Sequence, residues 1–129
     1  MNQFKEIPVP LESWEQAKIV EWKRENQDKY PELQLLFSSL NGIRLSFGLR
    51  AKAKAQGLEP GYPDLMLDVP RGGFHGLRIE LKRVKGGAVS DDQKRVISML
   101  QDQGYCVEVC KGHVEAINTI VNYLNDKRG

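Results

Sequence analysis

Asp64, Glu80 and Lys82 have the side-chain types, and the spacing along two alternating segments, to act together on one substrate. Hydrolysis of a phosphodiester needs a hard divalent cation, which neutralises charge developing on the phosphorus oxygens and acidifies the attacking water. Magnesium takes oxygen ligands and keeps several waters, so two carboxylates and a carbonyl make a minimal protein site. Asp64, in Tyr62-Pro63-Asp64, and Glu80, in Glu80-Leu81-Lys82, supply the carboxylates, and the Leu81 backbone carbonyl is placed as a third ligand. Lys82 lies two residues beyond Glu80 and emerges on the same strand face. There its ammonium orients the water or stabilises the pentavalent transition state. Taken alone the pattern has a plainer reading, an ion pair on an exposed strand face.

Two strands have to position these groups. From Asp64 to Val69, Asp64, Met66 and Asp68 alternate with Leu65, Leu67 and Val69; from Leu77 to Val84, Arg78, Glu80 and Lys82 alternate with Leu77, Ile79 and Leu81. The glycine-rich Pro70 to Gly76 connection makes them a hairpin, with the chains about 4.8 Å apart, close enough for carboxylates on one face to share an ion. Upstream, Pro10 and Ser13 open a helix to about Lys29, where Pro31 blocks continuation. Leu11, Trp14, Ile19 and Trp22 form its apolar stripe with Glu15 in the middle. That carboxylate is either an edge residue paired with Lys18 or one aimed into a site. Leu33 to Phe37 reads as a short strand, Ser38 to Gly42 as a turn, and Leu45 to Gln56 as a helix stopped by Gly57.

Downstream, Ser90-Asp91-Asp92-Gln93 is a capping box, Ser90 as N-cap and Gln93 three residues in. Its helix runs to about Gln103 with Val96, Met99 and Leu100 inward, and Gly104 ends it. Tyr105 to Cys110 alternates as a further core strand, and Val114, Ile117, Val121 and Leu124 space a closing helix. The order is helix, strand, helix, hairpin, helix, strand, helix: an α/β domain. A right-handed crossover through the Ser90 helix makes the flanking strands parallel.

At 129 residues the chain suits one domain, and no apolar run is long enough to span a bilayer. The polar Met1–Glu6 start is unlike a signal peptide, so a cytoplasmic location is expected. Cys106 and Cys110 are four residues apart on a strand, roughly 13 Å, too far for a disulfide. With only His75 and His113 besides, a zinc site has little support. A net charge of +2 is too mild to imply nucleic acid, but its distribution is uneven. Arg44, Arg50, Lys52 and Lys54 occur with no acidic residue between them, and Arg78, Lys82, Arg83 and Lys85 form a second basic cluster. A solvated face explains such charges unless catalytic residues lie nearby, when they become phosphate contacts.

Asn41-Gly42, Gly57-Leu58-Glu59-Pro60-Gly61-Tyr62-Pro63-Asp64-Leu65, Glu80-Leu81-Lys82, Ser90-x-x-Gln93 and Leu100-x-x-x-Gly104-Tyr105 together resemble the VRR-NUC family of the PD-(D/E)xK nuclease superfamily. The resemblance implies a restriction-endonuclease-like mixed sheet flanked by helices. It implies Asp64 and Glu80 as metal carboxylates, Lys82 as the catalytic lysine and Gln93 as a glutamine facing the same site, a role in competition with its capping bond. Glu15 is similar to the family's acidic residue on the first helix, a metal ligand directly or through water. The family's valine-arginine-arginine signature reads Lys82-Arg83-Val84-Lys85 here, so its basic character is kept in another order. Short members of the family resemble phage or bacterial homodimers that cut branched DNA, including four-way junctions, with Mg2+ or Mn2+ and with no membrane or small-molecule cofactor. A monomeric flap or linear-DNA nuclease and an inert DNA-binding module are the alternatives.

Overall fold

The computed structural model describes residues 7–39, 41, 43 and 45–126. In chain order its elements are α1 (Glu12–Asn26), a 3-10 turn (Pro31–Leu35), β1 (Leu36–Ser38), α2 (Phe47–Ala55), β2 (Leu65–Leu67), β3 (Leu77–Lys82), α3 (Asp91–Asp102), β4 (Cys106–Lys111) and α4 (Gly112–Leu124). The four-stranded sheet has the order β1-β2-β3-β4. β1 and β2, and β2 and β3, pair antiparallel; β3 and β4 pair parallel, as the crossover through α3 requires. The expected α/β fold with a mixed sheet flanked by helices is what the chain adopts.

β3 is central, and all six of its residues are buried. Leu77, Ile79 and Leu81 join Ile19, Ala116 and Ile120 in the main core, so α1 and α4 cover the apolar face. Each Leu or Ile buried there contributes about 1.5–3 kcal/mol. The opposite face of β3 carries Arg78, Glu80 and Lys82, which Gln93 of α3 helps cover. A buried polar face is costly unless every group finds a partner. Arg78 meets this demand by bonding the Tyr62 hydroxyl at 2.9 Å, pairing with Asp68 at 3.1 Å and lying over the Tyr105 ring. It is thus a pillar behind the Tyr62 loop, not part of a surface basic cluster.

Several elements depart from their sequence reading. Leu11 has extended backbone before α1 and is exposed with Trp14, so the buried stripe narrows to Glu15 and Ile19 with Trp22 packed beside them. Pro31 starts a helical turn, its fixed φ suiting that position, and the strand expected from Leu33 begins only at Leu36. In α4 the inward residues are Ala116, Ile120, Tyr123 and Leu124, while Val114 is exposed. α4 starts directly at the end of β4 on Gly112, with φ +85°, where an added Cβ would sit 2.6 Å from Val84 Cγ1. That abrupt turn sets the helical phase and puts Val114 outside.

Candidate active site

The register of the hairpin brings the carboxylates together. Leu65 pairs with Ile79, so continuing the ladder one step sets Asp64 opposite Glu80. Asp64 stands just before β2, where no strand partner remains for the next inward-facing amide of β3. Its Oδ2 fills that gap by accepting from the Leu81 N–H at 2.7 Å. Ser39 holds the approach, its hydroxyl donating to the Pro63 carbonyl at 2.7 Å and its amide to the Asp64 carbonyl at 2.8 Å. Gly61, at φ +104°, lets the loop press on α3, since a Cβ there would meet the Asp92 carbonyl oxygen at 2.7 Å.

Glu80 is 2% exposed, and its Oε1 accepts from Gln93 Nε2 at 2.8 Å with Lys82 Nζ at 3.5 Å. Lys82 Nζ donates to Gln93 Oε1 at 2.9 Å. The same Oε1 accepts from the Ser90 amide at 2.9 Å, and the Ser90 hydroxyl accepts from the Gln93 amide at 3.2 Å. Capping and site-facing roles, read as rivals in the sequence, therefore coexist. An amide oxygen has two lone pairs, so one takes the cap and the other the lysine.

Burial, reinforced by the Asp64 charge and opposed by Lys82, pushes the Glu80 carboxyl from 4.5 up to about 8. Burial also raises Asp64, against the pull of the Leu81 amide, Glu80 and Lys82. Among the described residues Glu80 Oε2 is buried with no hydrogen-bond partner. Two carboxyls that resist ionising side by side, with one oxygen unclaimed, are a donor set suited to a hard cation. No group of three His, Cys, Asp or Glu residues converges among the described residues, so an ion here would complete its shell with backbone oxygen and water.

Asp64, Glu80, Lys82 and Gln93 line a cavity of about 280 Å³ together with Glu12 and Asn41. Glu12 was not singled out in the sequence, where it reads as an ordinary acidic residue in a helix's first turn. Glu15 does not line this cavity. It is 2% exposed and turned toward α4, its Oε1 accepting from His113 Nδ1 at 2.6 Å and from the His113 amide at 3.2 Å. Its Oε2 has no partner among the described residues and lies against Gly112. The puzzle of a carboxylate in an apolar stripe is thus resolved by His113, whose only sequence signal was a histidine just after a glycine. Arg83 spends its Nε and Nη2 on the Pro10 and Val9 carbonyls, fastening the segment before α1 across the end of β3. Lys85 is exposed beyond β3, Arg50, Lys52 and Lys54 are exposed on α2, and Arg44 lies outside the described residues.

The model of the VRR-NUC domain matches residues 5–114 of the chain. The chain belongs to the VRR-NUC domain family. A solved structure described as a VRR_NUC domain protein is similar along almost the whole length: 32% identical, with a TM-score of 0.78, covering 95% of this chain and 94% of that one. No curated protein matches. The family makes the chain a nuclease domain of the PD-(D/E)xK type, and Asp64, Glu80 and Lys82 line one cavity. Among the described residues no helix is long and apolar enough to cross a membrane.

Proposed function

We propose that this VRR-NUC domain is a Mg2+- or Mn2+-dependent endonuclease that hydrolyses phosphodiester bonds in branched DNA, such as four-way junctions, as a homodimer. The observation that carries the metal reading is the half-buried Asp64 beside the buried Glu80, whose Oε2 has no partner among the described residues, with Lys82 next to them. Asp64, Glu80 and the Leu81 carbonyl would hold the ion, which when bound supplies charge neutralisation at the phosphate and acidification of water. Lys82, fixed by Gln93, presents an ammonium to the nucleophilic water and the developing phosphorane charge. Gln93 keeps Glu80 and Lys82 at their spacing through one side chain. Glu15 acts in support by holding α1 against α4, which places Glu12 over the cavity one turn earlier. Two-fold symmetry suits a dimer to a two-fold junction, where two strands are cut.

The test is a panel of four-way junction, flap and linear duplex DNA incubated with magnesium, manganese or chelator, with the mass of the protein measured in solution. Junction cleavage by a dimer, lost on chelation, is expected. A monomer that ignores junctions and trims flaps or linear ends would replace the substrate reading. Binding without cleavage in any metal would make the domain an inert DNA-binding module.

A further inference from the structure

α2 buries none of its nine residues. A helix this short is marginal in water on its own, and Ala53 alone among its nine residues is half-buried, the others being exposed. Phe47, at its first position, is 92% exposed, and Leu49 is 57% exposed. Arg50, Lys52 and Lys54 follow with no acidic residue between Leu45 and Gln56. Phe47, Arg50 and Lys54 are spaced i, i+3 and i+7, so one stripe carries an aromatic ring and two cations, while Lys52 lies toward the other side.

The two ends of this segment stand in the walls of the candidate site. On the N-terminal side Asn41 lines the cavity and donates to the Tyr62 carbonyl at 3.3 Å. Ile43 lines a groove of about 740 Å³ that runs along α1 from Asp64 to Arg24. On the C-terminal side the Leu58 amide caps the Ala53 carbonyl at 2.9 Å, and Pro60, Gly61 and Tyr62 return to the cavity wall. Five residues separate Asn41 from Phe47, six steps along the chain with a reach of at most about 22 Å. A nucleic acid held at Asp64 and Glu80 is therefore within range of the arm.

We infer that α2 is a DNA-contacting arm on which the Phe47 ring stacks against bases exposed at a branch point, while Arg50 and Lys54 hold the neighbouring phosphates. This deepens the nuclease reading and rests on it. An uninterrupted duplex hides its base faces in the stack, whereas a junction opened at its branch exposes them, and an aromatic ring gains by stacking on any base. The positive charge of the stripe selects a polyanion over a second copy of a chain whose net charge is also positive, +2. The arm thus distinguishes an interrupted stack from a continuous one.

The test measures binding of wild type, Phe47→Ala and Phe47→Trp to a four-way junction and to an equal-length duplex. A 2-aminopurine at the branch reports stacking, and wild-type cleavage with magnesium is followed in parallel. Phe47→Ala is expected to lose junction affinity roughly 5- to 150-fold with duplex binding unchanged, and Phe47→Trp to restore it together with the fluorescence change. Equal losses on both substrates, retained junction preference in Phe47→Ala, or its conversion from dimer to monomer would overturn the inference. A wild type that cleaves without preferring junctions would remove both the branched-substrate reading and the arm's role while leaving the nuclease chemistry intact. A wild type that prefers junctions through Phe47 but cleaves nothing would remove the chemistry alone.

Discussion

On the polar face of β3, Glu80 and Lys82 are 2% and 6% exposed and are tied to each other through Gln93. On α2, Arg50, Lys52 and Lys54 are all exposed, and the helix buries nothing. Both regions are rich in charge, but their physics differs. A buried charge must have its partners fixed, so its geometry is exact enough for chemistry and its loss is severe. An exposed charge keeps its water and its freedom, so it contributes by attraction to a polyanion and its loss is mild. In the proposed function the contrast separates groups that would act on the reacting phosphate from groups that would bring it there.

The largest effects belong to the β3 cluster. Lys82→Ala and Asp64→Ala are each expected to lower magnesium-supported cleavage on the order of 10²- to 10⁴-fold while DNA binding changes little. Cleavage assays on saturating DNA check this. If either variant cut at the wild-type rate, or if cleavage survived chelation, the cluster would be a buried ion pair and nothing more.

A second prediction follows from the raised carboxyl of Glu80. Between 4.5 and about 8 the metal-free folded protein holds a proton there that the unfolded chain releases. Stability is then fully present below pH 4.5 for this group and falls as pH rises toward 8, by at most about 1.4 kcal/mol per pH unit. Denaturant unfolding at several pH values in chelator should show the decline, Glu80→Gln should flatten it, and added magnesium should offset it most at high pH. A wild-type curve that rises across this range would show that burial does not hold the Glu80 carboxyl above its ordinary value.

Glu15 tests the boundary between the two regions, since it is buried like Glu80 but faces α4. Glu15→Gln weakens two hydrogen bonds to His113 and is expected to cost about 1–3 kcal/mol of stability. Cleavage measured well below the melting transition should stay within a few-fold of wild type. A loss as large as that of Asp64→Ala would return Glu15 to the metal site.

The strand pair and the meeting of Asp64 and Glu80 on it were legible because period-2 alternation and the hairpin connection leave one register that buries Leu65, Leu67, Leu77 and Ile79 together. That register is what sets Asp64 opposite Glu80. Gln93 was legible through its capping box, a local pattern that coincides with its site role. Glu12, Glu15 and His113 were not, because their places depend on where α1 and α4 meet, and no spacing within one element encodes that contact. The same holds for Arg78 and Arg83. Both read as surface cations, yet one is buried under Tyr105 and the other is bonded to Val9 and Pro10. Charge alone does not reveal whether a side chain has found a partner within its own fold.

The smallest effects are expected for the exposed charges of α2, and they discriminate within it. Each phosphate contact releases about one counterion on binding, so removing one reduces the slope of log K against log salt by roughly 0.9 on duplex DNA. If the stripe of Phe47, Arg50 and Lys54 faces the nucleic acid, Arg50→Gln and Lys54→Gln should each lower that slope, while Lys52→Gln, toward the other side of the helix, should change it less. Cleavage at saturating DNA should be unaffected in all three, since none lines the cavity of Asp64 and Glu80. Titrations from low to moderate salt would read the slopes directly. Equal slopes in wild type and all three variants would make α2 a solvated helix, leaving the β3 cluster to find its substrate without this arm.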